Sequence, residues 1–465
     1  KGDEAAAAIA GAIAGAGPAG KTALVGVLAA RGAAAHSDIV LATAADKDES
    51  VRLASIEALG ALVDDTTLPG LVGLLAKAGT NAERNAAEGA ARAACLRIND
   101  PEKSAPPVAG ALDGASPAAQ CALLRILGKI GGPKALEAAR GLVKSDNAEV
   151  QGISTKVLAG WPTPEALDTL LEIAKTASTD DQKLLAHKGY VRLLDVPVKE
   201  RTPEKAVELH KAGLEAAIRP DEKKLLLAGL GRIKHIESLK AATPYFEDEA
   251  LQTAAGNAMT LVAGGVAGTS RDEAKAALRK VLAATKDKGL KKTAQRTLDG
   301  IEKFEDYITT WKVSGPYKQE GKDGLGLFDV AFPPEDPEAK DVEWKAVPPA
   351  ADKSKWWMVD LVKVVGGENV VAYLRAVVEC PEEQEAQIQI GSDDGVKAWL
   401  NGELVHGNNL GRGVTPGEDK AKVTLKAGKN TLLLKINNGG GGWGACARFR
   451  KPDGSGIEGI KSAAE

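Results

Sequence analysis

The chain has 465 residues, which is too long for one compact core and predicts two or three domains. Its hydrophobic fraction of 44% and charged fraction of 26% are ordinary for globular domains. The net charge of -3 argues against nucleic acid or an anionic membrane as the main partner, and no apolar run reaches the ~18–20 residues of a membrane span.

The composition divides the chain. Alanine dominates residues 1–300, whereas all the tryptophans but one lie beyond residue 310. This contrast predicts a helical part packed through small side chains and a β part with a core of large aromatic residues.

The helical part repeats itself. Residues 46–62 form an acidic turn followed by apolar positions on one helical face. A Leu-Gly or Ala-Gly pair recurs at Gly60, Gly128, Gly160 and Gly231, near multiples of a period of about 32–35 residues. We interpret these glycines as left-handed caps at helix ends. Paired helices at this period predict an α-solenoid over residues 1–300.

The acidic turn, the pair Val51-Arg52 and the Ala-Leu-Gly ending resemble HEAT repeats, over residues ~20–300. The resemblance implies a surface that binds a protein partner.

Two features of this part invite a chemical interpretation. Residues 15–22, GAGPAGKT, match the phosphate-binding pattern GxxxxGK[ST], but an Ala-rich helix precedes them instead of a strand, so a turn between helices is predicted. The isolated histidines have no partner at metal-ligand spacing and are interpreted as solvated or packed. They are His36, His187, His210 and His235.

Beyond residue 310, short alternating runs separated by glycine, proline and Asx residues predict a β-sandwich of the jelly-roll class over 310–452. The domain is preceded by a linker, 301–309, and followed by a tail, 453–465. Asn401-Gly402 predicts a two-residue hairpin. The other predicted strands cover 311–317, 327–332, 342–347, 356–361, 370–378, 386–390, 396–400 and 431–436.

Two segments of the sandwich, GSDDGVKAWLNG at 391–402 and NNGGGGWGACARF at 437–449, resemble galactose-binding-like jelly rolls and the PA14 family. Together with the helical array, they resemble secreted bacterial proteins associated with sugar degradation. Asp393 and Asp394 match the acidic pair that holds calcium in sugar-binding PA14 adhesins, so the resemblance implies a Ca²⁺ site there. The alternative is a turn in which Asp393 and Asp394 cap backbone amides.

The residues themselves suggest a carbohydrate site nearby. Trp443 follows four glycines, and an exposed indole there would stack on a sugar, whereas core packing is the alternative. Trp399 lies on the strand face that carries Lys397 and would flank the site or cover the sandwich. The loop residues Asn408, Asn409 and Arg412 complete the predicted set.

The four cysteines fall two in each half of the chain. Cys95–Cys121 and Cys380–Cys446 are candidate disulfides, and buried free thiols are the alternative.

The sequence shows no motif for a nucleophile with its base, spaced catalytic carboxylates or a metal cluster. We therefore expect a non-catalytic binding protein, whose solenoid binds a protein partner and whose sandwich binds a glycan. Because the chain opens at a lysine, its start is interpreted as processed or truncated, and an extracellular or periplasmic bacterial location is expected. The alternatives are a structural protein that assembles through protein contacts, as an oligomer or surface polymer, and an accessory region of a larger glycan-degrading enzyme.

Overall fold

The computed structural model describes residues 2–350 and 355–463. It confirms the predicted fold class, an α-solenoid followed by antiparallel β-sheets that form a sandwich. By its internal contacts the chain divides into two compact units, Lys1–Leu226 and Leu227–Glu465. The predicted boundary near residue 300 separates helices from strands, whereas the division by contacts falls within a helix, Pro220–Arg232.

The first unit consists of helices that pack against their neighbours along the chain and against helices of the next repeat. Its helices are Gly2–Ala12 (α1), Pro18–Ala30 (α2), Ser37–Thr43 (α3), Glu49–Leu62 (α4), Leu68–Ala76 (α5), Asn81–Ile98 (α6), Pro101–Gly110 (α7), Pro117–Ile130 (α8), Gly132–Gly141 (α9), Ala148–Ala159 (α10), Leu167–Thr176 (α11), Asp180–Leu194 (α12) and Pro203–Ala216 (α13), with Pro220–Arg232 (α14) at the division.

Side-chain caps decide where many of these helices begin. Asp48 accepts hydrogen bonds from the amides of Ser50 and Val51, and Thr80 accepts one from the amide of Glu83. Each cap satisfies amides that the first helical turn leaves without a partner. The same role is played by Asp100, Ser116, Asn147, Thr179 and Thr202.

Helices α2, α4, α6, α8, α10 and α12 contact one another in succession, and we call this set the even layer. Helices α5, α7 and α9 contact one another on the other side of each pair. Residues 15–22, which match the phosphate-binding pattern but were predicted to form a turn, contain the turn between α1 and α2, and Lys21 pairs with Asp46 at 2.6 Å.

The repeated glycines are not left-handed helix caps, so that prediction was wrong. Gly60 and Gly128 lie inside α4 and α8, and Gly160 has an ordinary φ of -88°. A Cβ on Gly60 would lie 3.0 Å from Ala90 Cα, and one on Gly128 would lie 2.9 Å from Val157 Cγ1. At Gly60 and Gly128, successive helices of the even layer approach too closely for a larger side chain.

The second unit begins with the helices Ile236–Ala242 (α15), Gln252–Val266 (α16), Arg271–Ala284 (α17) and Lys288–Phe304 (α18), and the sandwich contains one short helix, Leu361–Val364 (α19). The strands are Lys312–Tyr317 (β1), Lys345–Ala346 (β2), Val359–Asp360 (β3), Val370–Cys380 (β4), Gln384–Asp393 (β5), Val396–Leu400 (β6), Glu403–Asn408 (β7), Asp419–Leu425 (β8), Gly428–Asn438 (β9), Gly444–Arg450 (β10) and Lys461–Ala463 (β11).

The strands form two antiparallel sheets. Within residues 2–350 and 355–463, one sheet has the order β2-β1-β4-β9-β6-β7, with β11 pairing to β4, and the other has the order β3-β10-β5-β8. The buried core between them is lined by alternate residues of the long strands and includes Trp311 and Phe449. Part of the predicted tail, 453–465, is therefore integrated through β11, and residues 464 and 465 lie outside the described residues.

An irregular segment covers the outer face of the larger sheet. Leu327 packs against Val371 and Tyr373 there. Lys435 is fully buried in the same place and donates hydrogen bonds to Val330 O at 2.6 Å and Glu335 Oε1 at 2.7 Å. Burial lowers the pKa of Lys435, although Glu335 opposes the shift.

The segment predicted as a linker, 301–309, is ordered. Its first residues belong to α18, where Phe304 stacks on Trp357 at 4.6 Å between ring centroids. Asp306 then accepts hydrogen bonds from Arg448 Nη1 at 3.0 Å and from Arg450 Nε at 2.6 Å. In the second unit, these contacts join α18 and the residues directly after it to the smaller sheet.

The four cysteines are buried free thiols, so neither candidate disulfide is formed. Burial raises the pKa of Cys95 to about 11 and that of Cys446 to about 12, which keeps both protonated and unreactive at neutral pH. Among the described helices, none combines the length and apolarity that crossing a membrane requires.

Candidate functional site

Three loops meet at one end of the sandwich, and we call them the loop cluster. They are residues 393–395, which comprise the end of β5 and the turn to β6, the segment 409–418 between β7 and β8, and the glycine-rich segment 439–443 between β9 and β10. The sheet register brings them together, since β5 and β6 lie beside β10 and β9 respectively. Segments 391–402 and 437–449 therefore meet at this end of the sandwich.

Asp394 ties the three loops together. Its Oδ1 accepts a hydrogen bond from the amide of Arg412 at 3.0 Å, and its Oδ2 accepts one from the amide of Gly439 at 2.8 Å. The carboxylate thus caps backbone amides, as the alternative interpretation proposed, but the amides belong to the two neighbouring loops. Charge-assisted bonds of this kind hold the carboxylate in a defined position.

Asp393 behaves differently from its neighbour. Within the described part of the chain, its half-buried carboxylate accepts no hydrogen bond, and burial together with the charge of Asp394 raises its pKa. A Cβ on Gly442 would lie 2.7 Å from Asp393 Oδ2, so the glycine run lets the backbone approach this oxygen. The result is a carboxylate held close to a second one with little to offset its charge.

The structure gives Arg412 a role in holding the fold. Its Nη2 donates to Ser392 Oγ at 2.8 Å and pairs with buried Asp419, and its Nη1 lies 3.3 Å from Glu418. Asn408 also donates to Asp419, at 2.8 Å. Burial raises the pKa of Asp419, but the bonds from Arg412 and Asn408 outweigh it and the net shift is downward. Both predicted ligand-binding side chains are therefore engaged with the protein itself.

Trp443 corrects the expectation of an exposed stacking platform. Its side chain is 3% exposed and belongs to the sandwich core. Its indole nitrogen is buried without a hydrogen-bond partner among the described residues. Trp443 packs in the core and does not form an exposed surface for a sugar, because the preceding glycines allow the chain to turn inward at this point.

A cavity of about 480 Å³ opens beside the cluster and is lined by both Asp393 and Trp443. Its other walls include Trp357, Met358 and Lys363, which sequence reasoning did not assign to a site. The adjacent tryptophans 356 and 357 were the signal that could have found it, although the predicted strand 356–361 is reduced to β3 and both tryptophans lie in the turn before it.

Trp399 lies outside the loop cluster. Trp399 lies opposite Leu433 of β9, whereas the amide of Asp394 donates to Asn437 O of the same strand. Leu433 and Asn437 are four residues apart, which corresponds to about 13 Å along the strand. Exposed Asn409 does lie at the cluster, where a Cβ on Gly395 would be 3.1 Å from its Oδ1, and its Nδ2 donates to Leu325 O.

The donor set at this end of the sandwich suits a hard cation. Among the described residues no group of three His, Cys, Asp or Glu side chains could hold a metal ion, so any ion would rest on two carboxylates and neutral oxygens. Asn437 and Asn438 each have a buried side-chain oxygen without a partner in the described structure. Asn437 and Asn438 are consecutive in β9 and face opposite sides of the sheet, so they cannot both reach one ion. Calcium accepts mixtures of carboxylate, amide and backbone oxygens, and the donors of that kind at the loop cluster are Asp393, Asp394 and Asn409 Oδ1.

A family model described as HEAT repeats matches residues 104–187. Among solved structures, the chain is similar to an engineered protein, with 17% identity and a TM-score of 0.34 over 64% of this chain and 95% of that one. It is also similar to human deoxyhypusine hydroxylase in complex with glycerol, with 15% identity and a TM-score of 0.23 over 59% of this chain and 99% of that one.

A third similar structure is the PA14 domain of the antifreeze protein MpAFP, with 14% identity and a TM-score of 0.19 over 34% of this chain and 74% of that one. No curated protein matches the chain.

Proposed function

We propose that this chain is a non-catalytic binding protein, exported by a bacterium, in which the solenoid is a scaffold for a protein partner and the loop cluster binds carbohydrate through a calcium ion. The single observation that carries the carbohydrate part is the carboxylate of Asp393, which lines an open cavity and has no hydrogen-bond partner among the described residues.

The scaffold role follows from the helical repeats. HEAT solenoids present extended helix faces to which protein partners bind. Exposed apolar side chains on the even layer support this role, among them Val27 on α2 and Leu96 on α6.

Asp393 and Asp394 would hold the calcium ion, with Asn409 Oδ1 as a neutral donor nearby. When bound, the ion would supply positive charge to which sugar hydroxyl oxygens coordinate. Asp394 would be the rigid member of the pair, because two amides fix its oxygens. The apolar walls of the cavity, Trp357 and Met358, would contact the C–H face of a sugar ring.

The test is a glycan array probed with the full chain in calcium and in EDTA, together with thermal unfolding in both. We expect glycan binding only with calcium, and a higher melting temperature with calcium because an ion that binds the folded state stabilises it. Asp393→Asn should remove both responses. The matched control, Asp453→Asn, changes an exposed acid elsewhere in the sandwich and should keep them.

The proposal fails if no glycan binds in either condition, or if Asp393→Asn binds as the unmodified chain does. Sedimentation of the same sample separates the assembly alternative, since a defined oligomer without glycan affinity would favour a structural protein.

A further inference from the structure

A groove crosses the even layer between α6, α8 and α10. Its volume is about 320 Å³, and its floor includes Ile126, Ile153 and Val157. Gly128 and Gly160 also line it, so no side chain from either position fills it. The close packing of α8 on α10 at Gly128 therefore leaves an open depression above the contact.

The floor of this groove continues towards α7. A smaller adjoining cavity of about 50 Å³ shares Ile126 and Lys129 with it and adds Leu96 and Ile130. Leu96 is 60% exposed and extends the apolar lining of the groove. The apolar strip is thus long enough to contact more than one side chain of a partner.

Cations surround the strip. Arg92, Lys129 and Lys156 are exposed and make no ion pair in the described residues. The acid on the groove wall, Glu88, is neutralised by Arg125, whose Nε and Nη2 donate to its two oxygens at 2.7 and 2.8 Å. Asp100, which lines the adjoining cavity, caps the start of α7. The groove is therefore locally positive in a chain whose net charge is -3.

We propose that this groove binds an acidic segment of a partner protein that also carries apolar side chains. The carboxylates of the segment pair with Arg92, Lys129 and Lys156, and its apolar side chains occupy the strip between Leu96 and Val157. This inference rests on the scaffold part of the proposed function and names the partner chemistry for it. A peptide fits better than a nucleic acid, because the floor is aliphatic and offers no aromatic ring on which a base would stack.

The test measures fluorescence polarisation of labelled synthetic peptides with the full chain. One peptide set carries Glu and Leu at helical spacing; one control set has Lys in place of Glu, and another has Ser in place of Leu. We expect only the first set to bind, and more weakly as salt is raised. A labelled single-stranded oligonucleotide serves as the competing ligand class.

The triple variant Arg92→Glu, Lys129→Glu and Lys156→Glu should weaken peptide binding by about tenfold or more, since each lost pair becomes a like-charge contact. The matched control, Lys77→Glu, Lys211→Glu and Lys286→Glu, changes the net charge equally at exposed positions outside the even layer and should bind within about twofold of the unmodified chain. Ile153→Ser should weaken binding with no change in charge, and melting temperatures check that every variant folds.

The proposal is overturned if no peptide of the first set binds, if the oligonucleotide binds more tightly, or if both triple variants lose affinity equally. Its failure is distinguishable from that of the proposed function, because glycan binding depends on Asp393 and is measured separately. If the unmodified chain and the groove variant bind a protein partner equally well, the scaffold role remains, but the groove is not the site where that partner binds.

Discussion

At the scale of single residues, the loop cluster shows two neighbouring acids with different tasks. Asp394 is fixed by two backbone amides, whereas Asp393 is left without a partner in the described structure. The sequence identified the pair, but it could not tell the two apart, because the amides that distinguish them come from loops far along the chain. Arg412 was misjudged for the same reason, since its acceptor Asp419 becomes a neighbour only in the folded sandwich.

Asp419 should make the stability of the sandwich depend on pH. The pKa of Asp419 in the folded protein lies below its usual value. Ionised Asp419 therefore stabilises the fold at pH values above its pKa in the unfolded chain, which is near 3.9. This stabilisation is lost as the pH falls through the lower pKa of the folded state. Asp419→Asn should lower the free energy of unfolding at neutral pH by about 2 kcal/mol, because it removes the buried carboxylate with which Arg412 pairs. The difference between the two proteins should shrink below about pH 4.

Urea unfolding at a series of pH values measures this difference directly. The other acidic residues contribute the same pH dependence to both proteins, so their contribution cancels in the difference. The control is Asp336→Asn, which changes an acid on the exposed surface. Parallel curves for the unmodified chain and Asp419→Asn across the acid range would contradict the prediction.

At the scale of elements, regular periodicity was enough to predict the solenoid, and the repeated glycines were found for the wrong physical reason. Gly60 and Gly128 lie near the ends of α4 and α8, which favours a capping role, but the contact that excludes a larger side chain comes from the helix one repeat away. Gly189 of α12 shows this most clearly, because a Cβ there would lie 2.6 Å from Ala159 Cα.

Gly189→Ala should therefore destabilise the first unit by about 1–3 kcal/mol, since backbone atoms cannot move aside as a flexible side chain does. Gly89→Ala is the matched control inside α6, where a Cβ would meet nothing within 4 Å. It should be stabilising by about 0.5–1 kcal/mol because alanine is the better helix former. Thermal and urea unfolding measure both changes, and equal effects at the two positions would rule out the close-contact explanation.

The strands show where sequence periodicity stops being informative. Strand β6 and most of β4 and β9 were predicted because their apolar residues alternate or run continuously. Strand β10, GACARFR, was missed because its small residues have weak strand preference and follow a glycine run. Residues 327–332 were predicted as a strand, but they form the end of a short 3-10 helix and an irregular segment whose apolar side chains cover the outer sheet face.

At the scale of the whole molecule, the predicted α-solenoid and β-sandwich are both present. The segment between the last solenoid helix, α18, and the first strand, β1, differs from the prediction. The segment expected to be a linker is ordered by Asp306, which accepts from two arginines of β10, and by the stacked rings of Phe304 and Trp357. The sequence did not reveal this junction, because its partners lie about 50 to 140 residues away along the chain.

Asp306→Ala should loosen this junction, because it leaves Arg448 and Arg450 without their shared acid. We expect a lower melting temperature and faster proteolytic cleavage within 305–309, mapped by mass spectrometry. Asp299→Ala, which removes an exposed acid from the same helix α18, should change neither. A junction that resists protease as well in Asp306→Ala as in the unmodified chain would show that ring stacking alone holds it.

The partners of Lys435 lie far from it along the chain, and this separation affects the order in which the parts of the chain fold. In the solenoid, side chains find their partners about one repeat away, as Arg52 does with Glu83, 31 residues on. Glu335 and Val330 are synthesised 100 and 105 residues before Lys435, the cation they hold in the folded sandwich. The solenoid is therefore rich in short-range contacts that close early on a growing chain, whereas the covering segment of the sandwich must wait until β9 has been made.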